Sequence, residues 1–104
     1  MFDNEKVMTL KGTVKEFQWT NPHTWIQLNV SNDAGAVQEW SIEGASVISL
    51  SRQGWKRNTL KVGDDITVLI HPLKNGESGG SFMSATFADG SPVGNRPAPP
   101  AGQP

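Results

Sequence analysis

Apolar residues recur at every second position in one stretch of this chain after another, while the three-to-four spacing of an amphipathic helix is nearly missing. A period of two is the mark of strands that bury one face. Met8, Leu10, Gly12 and Val14 alternate with Thr9, Lys11, Thr13 and Lys15. The phase then slips, because Phe17 and Trp19 are the next apolar pair and Glu16 and Gln18 would otherwise point inward. A bulge near Lys15–Glu16 repairs the phase and bends the strand, as closure of a barrel requires. Gly12 eases the same bend.

Asn21-Pro22 ends this first strand, since proline has no ladder donor. The second carries Ile26, Leu28 and Val30 on one face and Trp25, Gln27 and Asn29 on the other. Ser31-Asn32-Asp33-Ala34-Gly35 is hairpin-turn chemistry. The third, Val37 to Glu43, sets Trp40 and Ile42 against Glu39, Ser41 and Glu43. A two-turn helix follows, with Ser46 as its cap, Val47, Ile48 and Leu50 as its apolar face and Gly54 to close it. Leu60-Lys61-Val62-Gly63-Asp64 turns into a fourth strand with Ile66, Val68 and Ile70 inward, and the fifth is expected at Ser81–Ala88. There Met83, Ala85 and Phe87 alternate with Phe82, Ser84 and Thr86.

Strand, strand, strand, short helix, strand, strand is the order of an OB-type barrel. The fold class expected is therefore all-β: a five-stranded OB-like barrel with one short helix between the third and fourth strands. A meander or open sandwich is the alternative. The 104 residues suit a single domain. Residues 1–89 form its body, and residues 90–104, rich in proline and glycine, are expected to be a disordered tail.

Nine basic and ten acidic residues leave a net charge of −1, without the positive field that a nucleic-acid or anionic-membrane binder uses. The absence of cysteine removes disulfides and thiolate metal sites. No apolar run is long enough for a membrane span. No stretch reads as a signal peptide, and Met1 ahead of Phe2-Asp3 reads as an initiator on a trimmed mature domain.

Several separated motifs occur in a fixed order. They are Leu10-Lys11-Gly12-Thr13-Val14, Trp19-Thr20-Asn21-Pro22-His23-Thr24-Trp25, Trp40-Ser41-Ile42-Glu43-Gly44, Arg52-Gln53-Gly54-Trp55, Leu60–Asp64 and Ala88-Asp89-Gly90. Together they resemble an exported bacterial domain-of-unknown-function family, marked by Asn-Pro-His-x-Trp and Gly-Trp-x-Arg. The resemblance implies a periplasmic or secreted protein with no established activity. Members commonly carry a His-His-Ser-Phe stretch just upstream of the position matching Phe2-Asp3, which this chain does not include.

Four residues stand out as a candidate ligand-binding set: Trp19, Asn21, His23 and Trp25. His23 and Trp25, two apart at the mouth of a strand, should project to one side. Tryptophan needs an apolar bed and a partner for its N–H, which a lid and a ligand-stacking platform both supply. The structural reading of the same residues is a turn in which Asn21 bonds nearby backbone and His23 donates to a carbonyl. Arg52, Lys56, Arg57 and Lys61 surround Trp55, and a helix C-terminus accounts for Arg52.

No catalytic residues are assigned. Ser, His and Asp occur at no recognised spacing, and Glu39 and Glu43 lie roughly 13 Å apart along one strand. With His23 and His71 as its only histidines the chain shows no metal-ligand signature, so no metal and no cofactor are expected. The leading expectation is a non-enzymatic, monomeric binding module of the bacterial cell envelope, engaging a small ligand or an envelope protein and not nucleic acid. The alternative is a copper- or zinc-handling periplasmic protein in which His23 works with upstream histidines.

Overall fold

The first strand, β1 (Met8–Gln18), serves two neighbours in turn. Its first half pairs with β4 (Asp65–Pro72), from Met8 opposite Ile70 to Thr13 opposite Asp65. Its second half pairs with β2 (Trp25–Ser31), from Thr13 opposite Asn29 to Gln18 opposite Trp25. Between the halves the register slips from Val14 to Glu16 and leaves Lys15 as the extra residue, the bulge that the broken alternation predicts. Gly12 sits where the strands cross most closely. A Cβ there would stand 2.4 Å from the Asn29 carbonyl oxygen, so no side chain fits.

The Leu60–Asp64 turn holds the bulge in place. The Val14 amide donates to the Asp64 carbonyl at 2.8 Å, and the Gly63 amide donates to the Val14 carbonyl at 2.9 Å. The Asp64 carboxylate closes the turn by accepting from the Lys61 amide at 2.9 Å.

In the computed structural model, which describes residues 1–94, β3 (Val37–Glu43) follows β2 as an antiparallel hairpin. The helix α1 (Val47–Arg52) comes next, its first turn capped by the Ser46 hydroxyl, which accepts from the Ser49 amide at 3.2 Å. Gly54 takes φ 86° just past its end, as expected. The helix buries only Leu50. Ile48, expected on the apolar face, is exposed. The last strand, β5 (Gly79–Phe87), lies antiparallel to β4 and pairs in parallel with β3 over Ser41–Glu43. The order β1-β2-β3-β5-β4 closes on itself, which is the five-stranded OB-like barrel the strand pattern predicts.

Strand β5 departs from simple alternation. It begins at Gly79, ahead of Ser81, and its register against β4 slips between Leu69 and Ile70, with Ser84 facing one and Phe82 the other. Met83 is therefore the unpaired residue and is exposed, so it does not share a face with Ala85 and Phe87. Phe82 turns inward instead and meets Trp55 edge-on, with ring centroids 5.4 Å apart.

The core is one cluster of β-strand aliphatics closed at its end by Leu50, Trp55 and Leu60. It also takes in Val93, which lies beyond the boundary at residue 89. Ser91 and Val93 return along β5: the Phe87 amide donates to the Ser91 carbonyl at 2.8 Å, and the Val93 amide donates to the Ala85 carbonyl at 3.0 Å. A branched apolar side chain with a paired backbone is worth burying even inside a proline- and glycine-rich stretch. The folded body thus extends to Gly94, and the rest of the expected tail, 95–104, lies outside the described residues.

Candidate functional site

The loop between β1 and β2 carries the Asn-Pro-His-Thr-Trp motif, and Asn21 and Thr24 tie it to the segment from Gly44 to Val47. The Asn21–Pro22 peptide bond is cis. The Asn21 side-chain oxygen accepts from the amide of Val47, the first helical residue, at 3.1 Å. That amide has no partner inside the helix, so Asn21 satisfies one of its orphan donors. Thr24 is the buried polar side chain of the described residues. Its amide and its hydroxyl both donate to the Ala45 carbonyl, at 3.1 and 2.8 Å, and its own carbonyl accepts from the Gly44 amide at 2.7 Å. The two motifs around Pro22 and Gly44 are therefore halves of one contact.

Fixed in this way, the loop delivers His23 to the outer face of the barrel. His23 Nδ1 stands 3.3 Å from Glu43 Oε2. Trp25 is the direct cross-strand partner of Glu43 on one side and of Gln18 on the other, so the three side chains share that outer face. The histidine is half exposed and the glutamate mostly covered. Beside them lies an open cleft of about 340 Å³, walled by Trp25, Ser41 and Glu43 from β2 and β3, by Leu73, Glu77 and Ser78 from the β4–β5 loop and by Gly79 and Gly80 at the start of β5.

Met1 and Phe2 form the remaining wall. The N-terminal segment runs antiparallel to the end of β4. Phe2 bridges to Leu73, the Asp3 amide donates to the Pro72 carbonyl at 2.8 Å, and the Lys74 amide donates to the Met1 carbonyl at 2.9 Å. His71 contributes to this tether through Nδ1, 2.9 Å from the Lys6 carbonyl oxygen.

Of the four residues singled out in the sequence, the structure brings two together. His23 and Trp25 meet at Glu43. Trp19 turns the other way and packs against the core, its ring 5.7 Å from that of Phe17, in an aromatic row that continues through Trp55 to Phe82. Asn21 is engaged with the helix start. Trp55 is buried, so the basic residues around it have no exposed aromatic face to work with.

A second cleft, about 390 Å³, lies over β1 and β4 and is lined by Lys11, Gly12, Thr13, Asp65, Ile66, Thr67 and Ala88. It has no aromatic wall. Two of its polar groups satisfy each other, Thr13 Oγ1 donating to Asp65 Oδ1 at 2.7 Å. Farther along the β2–β3 outer face Lys15 pairs with Glu39 at 2.6 Å, and this hydrogen bond and charge hold the lysine above its usual pKa.

Over residues 1–83 the chain matches a family of unknown function, DUF6152. It belongs to that family. The match runs from the N-terminal segment into β5, so the DUF6152 portion contains every wall of the Trp25 cleft, while the Ser91–Val93 return lies past it. No curated protein matches the chain.

Glu43 belongs to this candidate site of the DUF6152 domain but not to the set of four residues. A signal for it exists. Ser31 faces Val37 across the hairpin, and each step back along β2 is one step forward along β3, which arrives at Trp25 facing Glu43. The Leu73 and Glu77–Gly80 wall has no comparable signal, because it depends on the parallel contact between β3 and β5.

Proposed function

We propose that this domain is a non-enzymatic binding module of the bacterial cell envelope, and that it takes its ligand on the outer face of β2 and β3, in the cleft beside Trp25. The observation that carries this reading is the half-buried Trp25 in the wall of that cleft. Outside the core, an indole at such a place offers ligand-contact surface with little conformational entropy to lose. OB barrels use this same region, the face of strands two and three between the loops that follow strands one and four. Here those loops are the ones that carry His23 and Glu77. The envelope location rests on the resemblance of the motifs to exported proteins.

In the metal-handling alternative His23 would work with upstream histidines, and in this structure it has Glu43 beside it. Among the described residues no group of three or more His, Cys, Asp or Glu is gathered to hold an ion, so the binding reading draws on more of the site.

Backbone amide chemical-shift mapping with a panel of small charged, aromatic and saccharide fragments tests the proposal. Perturbations are expected to cluster on Trp25, Ser41, Glu43 and Gly79. Clustering on Lys11, Thr13 and Asp65 would move the binding face to the second cleft and overturn the assignment.

A further inference from the structure

The chemistry of the Trp25 cleft narrows what it accepts. Two of its walls end in carboxylates, Glu43 from β3 and Glu77 from the β4–β5 loop, and its lining includes no lysine, arginine or histidine side chain. The Trp25 indole shares this lining and is the cross-strand neighbour of Glu43. Ser41 adds a hydroxyl to the lining, and Gly79 and Gly80 contribute backbone to it.

Carboxylates opposite an aromatic face are complementary to a group that is positively charged, flat or compact, and rich in N–H donors. Resting on the reading of this cleft as the binding face, we propose that it receives an organic cation of the guanidinium or alkylammonium type. The guanidinium of arginine matches it best, with its plane on the Trp25 ring and its N–H fork toward Glu43. The cavity has room for such a head group and its methylene stem, although it lies at the small end of ligand sites. An anionic ligand would meet the carboxylates of Glu43 and Glu77 there. A neutral sugar would leave the charges of Glu43 and Glu77 unused.

His23 fits this arrangement from outside the cleft. Its Nδ1 approaches one oxygen of Glu43 and leaves the other oxygen for the ligand. The histidine thereby orients the carboxylate that would hold the cation.

The test uses a short arginine-containing peptide, its citrulline counterpart, which keeps the shape and removes the charge, and free arginine amide. Binding is read from the Trp25 indole N–H resonance of the full chain. The arginine peptide is expected to bind at least about tenfold more tightly than the citrulline peptide, with affinity falling as salt is raised. Glu43→Gln and Glu77→Gln should each weaken it several-fold; Glu77 lies on an exposed loop, so its loss leaves the fold intact. Binding of the peptide alone assigns the cation to a protein partner, and equal binding of arginine amide assigns it to a free small molecule. Equal affinity for the arginine and citrulline peptides would overturn the cationic ligand while leaving the binding face standing. No response of Trp25 to any charged probe would also overturn it.

Discussion

The hydroxyl of Thr24 occupies the space that a side chain on residue 44 would need: a Cβ added to Gly44 would stand 2.4 Å from Thr24 Oγ1. Thr24 is buried and has bonded both its donors to the Ala45 carbonyl, so it has nowhere to move. Gly44→Ala should therefore cost about 1–3 kcal/mol, the usual range for overpacking a filled site. Thr24→Val keeps the volume and the amide bond but loses the hydroxyl donor, at a cost of about 1 kcal/mol. Urea unfolding reads both as shifts of the midpoint with an unchanged slope.

Trp25 and Trp55 should respond differently to truncation, although both sit in the recognised motifs. Trp55 is 4% exposed and packs in the core, so Trp55→Ala should cost about 3–5 kcal/mol. Trp25 lies on the outer face, half-buried and outside the core cluster, so Trp25→Ala should cost about 1 kcal/mol. Equal losses in thermal or urea unfolding would make Trp25 a packing residue.

A chain ending at Asp89 should be less stable than one ending at Gly94. The shorter chain loses the burial of Val93 and its bond to Ala85, together worth about 2–3 kcal/mol. Val93→Ala in the full chain isolates the side chain and should cost about half of that or less. Comparable unfolding midpoints for the two truncations would show that the return along β5 contributes nothing.

Asp89 sets the turn that starts this return. The Ser91 hydroxyl donates to its carboxylate at 2.6 Å and the Ser91 amide donates at 2.9 Å, and these bonds hold its pKa below the ordinary 3.8. A carboxylate depressed in the folded state contributes stability that is present above its unfolded pKa and is lost as pH falls through the folded one. The turn should thus hold at neutral pH and loosen only below about pH 4, the ordinary carboxylate range. Carboxyl-carbon NMR should show Asp89 titrating below the ordinary 3.8. Asp89→Asn should remove this acid-range sensitivity from the Ser91 amide shift.

Much of this architecture was legible in the residues. The broken alternation after Val14 located the bulge, and Ser46 and Gly54 marked the helix ends, because each depends on local chemistry. What was not legible depends on chain paths across turns. Trp19 and Trp25 flank one loop, but alternation cannot be carried through a turn, and one ring goes to the core while the other faces out. The extra residue at Met83 likewise reverses the apparent faces of β5, since Phe82 is drawn inward by Trp55. Val93 stood in a composition that reads as tail, and only the open edge of β5 gives it a place to bury. The candidate site was half legible: His23 and Trp25 came from the motif, and Glu43 and the β4–β5 loop came from the closed barrel.

We propose that this domain binds its ligand on the outer face at Trp25. Labelling the four tryptophans with 5-fluorotryptophan gives each ring a separate ¹⁹F signal, assigned by single Trp→Phe variants. On titration with the arginine peptide, the Trp25 signal is expected to move in a saturable way while those of Trp40 and Trp55 stay in place. Movement of the Trp19 or Trp55 signals with Trp25 unchanged would contradict it.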